Sequence, residues 1–187
     1  MSGFLGFIGG LAVLAIICLV LLFVYGISVS NSFNRKSVKI DEALSGIEVA
    51  LTKRYDTLTK MVDAAKGYTN HELNTLLSVI SMRKGMTVPE LTTEAEKMAD
   101  VTSRLNVLAE AYPELHSNTV FEELQKGIRD TEEQLQAARR LYNANVSSYN
   151  QQLVVFPSSI IARAKGLTQK DFFEAEEHKR QDVKIQF

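Results

Sequence analysis

The sequence predicts an all-α protein: an N-terminal transmembrane helix followed by an elongated antiparallel bundle of three long helices plus a short C-terminal fourth. Three observations carry that prediction. Residues 4–27 include no charged side chain. Beyond them, apolar side chains recur at alternating intervals of three and four, which keeps one stripe on one side of a helix. Farther on, Phe121, Ile128, Leu135, Tyr142, Tyr149 and Phe156 recur every seven residues, the regularity of helices packed side by side.

The first element is the apolar run. At about 1.5 Å rise per residue, residues 4–27 make a helix of about 36 Å, enough to cross a hydrocarbon core of about 30 Å with some tilt. A secretory signal would have a basic leading region and a shorter apolar stretch. This run has neither, although Ser28-Val29-Ser30 imitates a cleavage site, so a retained anchor is predicted. Gly6 and Gly10 form a small-residue pair one turn apart, a candidate face for transmembrane packing against a second helix. Cations resist translocation; none precedes the run, and Arg35, Lys36 and Lys39 follow it, which predicts a cytoplasmic C-terminal domain. The predicted organisation is a short segment 1–3, a span 4–27, a polar hinge 28–34 and a helical bundle domain 35–187.

In that domain, Leu44, Ile47, Leu51, Tyr55, Leu58, Val62 and Ala65 form one stripe, resumed by Leu73, Leu76, Leu77 and Ile80. One helix over about 36–84 is predicted, with Gly67 as a tolerated weak point. Thr87-Val88-Pro89-Glu90 then signals a helix start, a threonine cap with a glutamate three residues on and a proline in the first turn. Leu91, Ala95, Met98, Leu105, Leu108 and Tyr112 continue the stripe until Pro113 ends it. The third long helix starts near Asn118 or Thr119. Its companion seam positions are Leu124, Thr131, Ala138, Asn145 and Gln152, so the seam is expected to turn polar toward its end. Pro157 stops it. Short helices are predicted over 159–165 and about 169–179, and the alternating tail 182–187 is expected to lie extended.

Composition narrows the function. With 21 basic and 22 acidic side chains the net charge is -1, so no overall positive field draws nucleic acid. A single cysteine, Cys18, and three histidines supply neither a disulfide nor a zinc-ligand set, and no metal or cofactor is expected. His71-Glu72 resembles half of a zinc-protease motif, but Thr75 stands where the second histidine would be. No glycine-rich phosphate loop and no spaced Ser-His-Asp set is present, so the chain is expected not to be an enzyme. The candidate interaction residues are Lys53, Arg54 and Asp56, His71, and the repeated pairs Tyr142-Asn143 and Tyr149-Asn150. Lys53 and Arg54 either dock a partner or pass their stems along the apolar seam into water. The tyrosines are either core residues with hydroxyls at the bundle edge or a partner-binding stripe.

Several words of the sequence, in their order and spacing, resemble the LemA family. They are Asp41-Glu42-Ala43-Leu44-Ser45, Lys53-Arg54-Tyr55-Asp56, Lys66-Gly67-Tyr68 with His71-Glu72, Glu110-Ala111-Tyr112-Pro113-Glu114-Leu115, Ala138-Arg139-Arg140-Leu141-Tyr142-Asn143, Ser148-Tyr149-Asn150 and Phe156-Pro157. The likeness runs from the anchor to Phe187. It departs at Leu44, where the family usually has Trp, and at Thr57-Leu58-Thr59-Lys60, which lacks the family's helix-interrupting proline. The resemblance implies a bacterial single-pass inner-membrane protein with a helical domain, and its magnetosome-associated members imply membrane organisation. The expected role is a membrane-anchored scaffold or adaptor, able to self-assemble, that touches the bilayer through 4–27 and binds membrane-proximal proteins. The alternatives are a lipid- or membrane-remodelling factor and a non-catalytic regulator of a membrane protease.

Overall fold

The computed structural model describes residues 2–68 and 73–173. All its regular elements are helices: α1 (Ser2–Ala65), α2 (Leu73–Ser78), α3 (Val88–Ala111), α4 (Pro113–His116), α5 (Thr119–Val154) and α6 (Ser158–Ala164). No strand occurs among the described residues. The chain forms two compact units, the first of Met1–Ile40 with Asn145–Lys170 and the second of Asp41–Ala144 with Asp171–Phe187. The predicted single bundle domain over 35–187 therefore differs from the observed division, which cuts across both α1 and α5.

Residues 28–34 are not a hinge: α1 runs through them without a break. Ser28, Ser30, Asn31 and Ser32 are mediocre helix formers, but no Gly or Pro lies among them, and Val29, Phe33 and Ile40 bury one helical face. That burial outweighs a few tenths of a kcal/mol of propensity per residue. In the first unit, Phe33 meets Tyr149 edge-on with ring centroids 5.6 Å apart. Ser32 Oγ donates to Gln152 Oε1 at 3.1 Å, Lys36 Nζ to the Ser148 carbonyl at 2.8 Å and Asn145 Nδ2 to the Lys39 carbonyl at 3.1 Å. One number rises as the other falls, so α1 and α5 run antiparallel there.

The second unit repeats the arrangement. Arg54 reaches Glu132, Lys53 reaches Gln134, and a Cβ on Gly127 would lie 3.5 Å from Thr57 Cγ2, again an antiparallel order. Ile47, Leu51 and Leu58 of α1, Leu91, Met98 and Leu105 of α3, and Phe121 and Leu135 of α5 are fully buried. The uninterrupted stretch at Thr57-Leu58-Thr59-Lys60 keeps α1 helical to Ala65.

Three further expectations differ from the structure. The helix predicted over 36–84 ends at Ala65, and 66–68 form a turn around Gly67, whose missing Cβ makes it the weakest helix position nearby. Residues 80–87 are non-helical, and Gly85 adopts φ 77°, a left-handed conformation that suits glycine. There the buried Glu94 carboxylate accepts the Ser81 N–H at 2.8 Å and Lys97 Nζ at 2.7 Å, tying the segment to α3. The second difference is the seam of α5. After Leu135 the buried positions are Arg139, Tyr142, Val146, Tyr149 and Leu153, so Val146 and Leu153 replace the expected Asn145 and Gln152, and the seam stays largely apolar. A straight α-helix drifts about 20° per heptad against a strict seven-residue repeat, and the four-residue step from Leu135 to Arg139 takes up that drift. Phe156, expected on the seam, lies in the turn after α5 and is 76% exposed. Third, the helix expected over 169–179 is absent from 169–173, which are non-helical; its remainder and the tail 182–187 lie outside the described residues.

The caps follow the sequence signals. The Thr87 backbone N–H donates to Glu90 Oε2 at 2.7 Å at the start of α3. Asn118 Oδ1 accepts from the N–H groups of Val120 and Phe121 at 3.0 and 3.2 Å, capping α5, while Asn118 Nδ2 donates to the Tyr68 hydroxyl at 3.0 Å.

Candidate functional site

The apolar part of α1 is exposed throughout: from Gly9 to Tyr25 no side chain is buried against the protein. This helix is long and apolar enough to cross a membrane, and none of its most apolar window is covered by the rest of the chain. Gly10 has no neighbouring atom within 4 Å of where a Cβ would stand. Gly6 belongs to the same helix, but what surrounds it lies outside the described residues.

The repeated Tyr-Asn pairs sit on α5 and hold the chain that follows α6. In the first unit, Asn150 Nδ2 donates to the Lys170 carbonyl at 2.9 Å while Asn150 Oδ1 accepts the Lys170 N–H at 2.9 Å. In the second, Asn143 does the same for Phe173, at 2.9 and 2.8 Å. A primary amide has one donor face and one acceptor face, so it can satisfy both backbone groups of one residue as a neighbouring strand would.

Tyr142 and Tyr149 are buried beside these amides. The Tyr142 hydroxyl donates to the Asp171 carbonyl at 3.0 Å. Burial, and then the charges of Asp171 and Asp41, push the Tyr142 hydroxyl above its ordinary pKa. Burial raises that of Tyr149. Residues 138–140 belong to one of the family-like words, yet sequence reasoning missed Arg139 itself. It is buried, with its guanidinium carbon 4.7 Å from the Phe173 ring centroid. The missed signal was the drift of the seam by one position, which turns Arg139 inward.

The Lys53, Arg54 and Asp56 cluster separates. Arg54 is 4% exposed, and its Nη1 donates to Glu132 Oε2 at 2.6 Å, while Gln136 Nε2 donates to Glu132 Oε1 at 2.8 Å. Lys53 and Asp56 are exposed, with Lys53 Nζ 3.4 Å from Gln134 Oε1. His71 lies outside the described residues. Lys36, one of the orienting cations, is half-buried, and burial lowers its ammonium pKa. A shallow recess is lined by Ser81, Arg83, Met86, Glu90, Thr93 and Glu94. Its carboxylates are already engaged, Glu94 as described and Glu90 by Thr87 and Arg83, which hold the Glu90 carboxyl below the usual range. Among the described residues no group of three or more His, Cys, Asp or Glu side chains could hold a metal ion.

A family model described as the LemA family matches residues 43–187. The chain belongs to the LemA family. The match covers the words quoted above from Ala43 onward, so both Tyr-Asn clasps lie inside it. The chain is also similar to Protein LemA of Metamycoplasma hominis, with 28% identity over 169 residues, covering 88% of this chain and 77% of that one. Family membership and the exposed apolar helix together support a membrane-associated LemA-family protein.

Proposed function

We propose that this LemA-family chain is a membrane-anchored helical scaffold that organises protein partners at a bacterial inner membrane and performs no reaction of its own. In this reading α1 crosses the bilayer once, and the packed helices lie on the cytoplasmic side. The observation that carries it is the double use of α1. Its exposed apolar stretch and the buried residues Ile40, Ile47, Leu51 and Leu58 belong to one unbroken helix. Arg35, Lys36 and Lys39 directly after the apolar run support the cytoplasmic orientation. Self-association through Gly6 and Gly10 belongs to the same proposal.

The test is cross-linking of the full-length protein in native membranes, read by mass spectrometry, alongside carbonate extraction. The proposal expects retention in the carbonate-washed membrane and reproducible cross-links from exposed lysines to membrane-proximal proteins or to a second copy. A chain that washes off, or one that stays but cross-links to no protein, would overturn it.

A further inference from the structure

The net charge of -1 conceals a segregation. The residues of the first unit, 1–40 and 145–170, carry Arg35, Lys36, Lys39, Arg163, Lys165 and Lys170 and not one Asp or Glu. All 22 acidic side chains of the chain, with the other 15 of its 21 basic ones, therefore fall in the second unit. The unit that bears the exposed apolar helix is thus purely cationic.

The same unit exposes a second apolar group. At the corner between α5 and α6, Val154, Val155, Phe156 and Ile160 are all more than half exposed. Four large apolar side chains close together in a corner need a cover more than scattered ones do. The corner packs beside the end of the apolar run of α1. A Cβ on Gly26 would lie 3.7 Å from Ile161 Cδ1, and Lys165 Nζ donates to Ser30 Oγ at 2.6 Å. Gly26 is the penultimate residue of the stretch 4–27, at the depth where a spanning helix passes from acyl chains to headgroups. Apolar side chains there with exposed Arg163 and Lys165 next to them have the composition of an interfacial lipid-binding element.

We propose that the α5–α6 corner is a second, shallow membrane contact, with Phe156 and its apolar neighbours in the headgroup–acyl boundary of an anionic leaflet. It rests on the reading of α1 as the span. Phe156 and Ile160 add apolar contact beside the helix. Arg163 and Lys165 face lipid phosphates. The cover is lipid because the corner is contiguous with the apolar helix of its own unit, and that unit holds no acid to repel anionic headgroups.

The chain has no Trp, so single substitutions give clean reporters. Phe156→Trp, Leu19→Trp and Val38→Trp all replace exposed side chains. Each full-length variant is reconstituted in phosphatidylcholine–phosphatidylglycerol vesicles containing phosphatidylcholine brominated near the top or near the end of its acyl chains. Leu19→Trp reports the span itself. Val38, 11 residues beyond Ile27 and so about 16 Å farther along the helix, reports water outside the interface.

The expected result is blue-shifted emission from Phe156→Trp, quenched more by the shallow bromines than by the deep ones, with Val38→Trp unquenched. Red-shifted, unquenched Phe156→Trp emission while Leu19→Trp is quenched would overturn the corner contact and leave the span standing. Loss of quenching at Leu19→Trp would sink the span and the corner with it. Blue-shifted but unquenched Phe156→Trp emission would mean that protein, such as a second copy, covers the corner, and would overturn the lipid assignment.

Discussion

The Asn143 side chain and the Phe173 backbone exchange two hydrogen bonds, at 2.9 and 2.8 Å, so one amide replaces the partner strand that a non-helical segment otherwise lacks. Phe173 is thereby held with its ring under the Arg139 guanidinium. Asn143→Ala removes both bonds and is expected to destabilise the detergent-solubilised chain by roughly 1–3 kcal/mol, measured by denaturant unfolding. Asn143→Asp keeps the acceptor but loses the donor to the Phe173 carbonyl, and should recover only part of that loss. Hydrogen exchange at the Phe173 amide should quicken in Asn143→Ala, which removes its acceptor, while exchange in the core of α3 is unchanged.

Arg54 and Glu132 form a pair whose members are unequally buried, with 4% and 28% of their side chains exposed. Removing the acid strands a buried guanidinium, so Glu132→Ala is expected to cost roughly 2–4 kcal/mol, below the range for fully buried pairs because Glu132 keeps some water. Arg54→Met retains the packing of the stem and leaves Glu132 with Gln136 and solvent, and should cost less than about 1 kcal/mol. A double-mutant cycle on unfolding free energies checks the order; equal losses from both single changes would contradict it.

The raised pKa values of Tyr142 and Tyr149 give the alkaline limb of stability a sign. Burial favours the neutral phenol in the folded state, so above a pH of about 10 the unfolded chain loses these protons first and gains stability relative to the native one. Their stabilising contribution is complete below that pH and falls as pH rises toward the folded-state values. Melting temperature should therefore drop above about pH 10. Tyr142→Phe, while losing the bond to Asp171, should flatten the drop. Ultraviolet titration of phenolate absorbance alongside thermal melts tests both statements.

Gly10 has open space where a Cβ would stand, so Gly10→Ile should leave the fold and its melting temperature intact, and Gly6→Ile is added to it to block both glycines. If the pair packs against a second copy, the double variant loses cross-linked dimer in membranes. Unchanged cross-linking would remove the glycine face from the proposed self-assembly.

Much of the fold was legible because its signals are local. A charge-free run of 24 residues is helical, and it is exposed from Gly9 to Tyr25. Pro113 and Pro157 end helices through their own ring sterics, and Thr87 with Glu90 and Asn118 cap through contacts within three residues. The family-like words named Tyr142, Asn143, Tyr149 and Asn150, but their neighbours could not say whether they faced a partner or the chain's own backbone.

What needed three dimensions was every choice settled between distant residues. Ser28 to Asn34 looks like a linker until Phe33 finds Tyr149, and 169–173 looks helical until Asn143 and Asn150 offer its backbone better partners. Val146 and Leu153 go inward in place of Asn145 and Gln152 because a helix of 3.6 residues per turn drifts against a seven-residue repeat. Local sequence dictates where backbone can be helical, through sterics and short-range bonds. Which side of each helix is dry, and which amide satisfies which backbone, depends on partners 20 or more residues away, and only packing selects them.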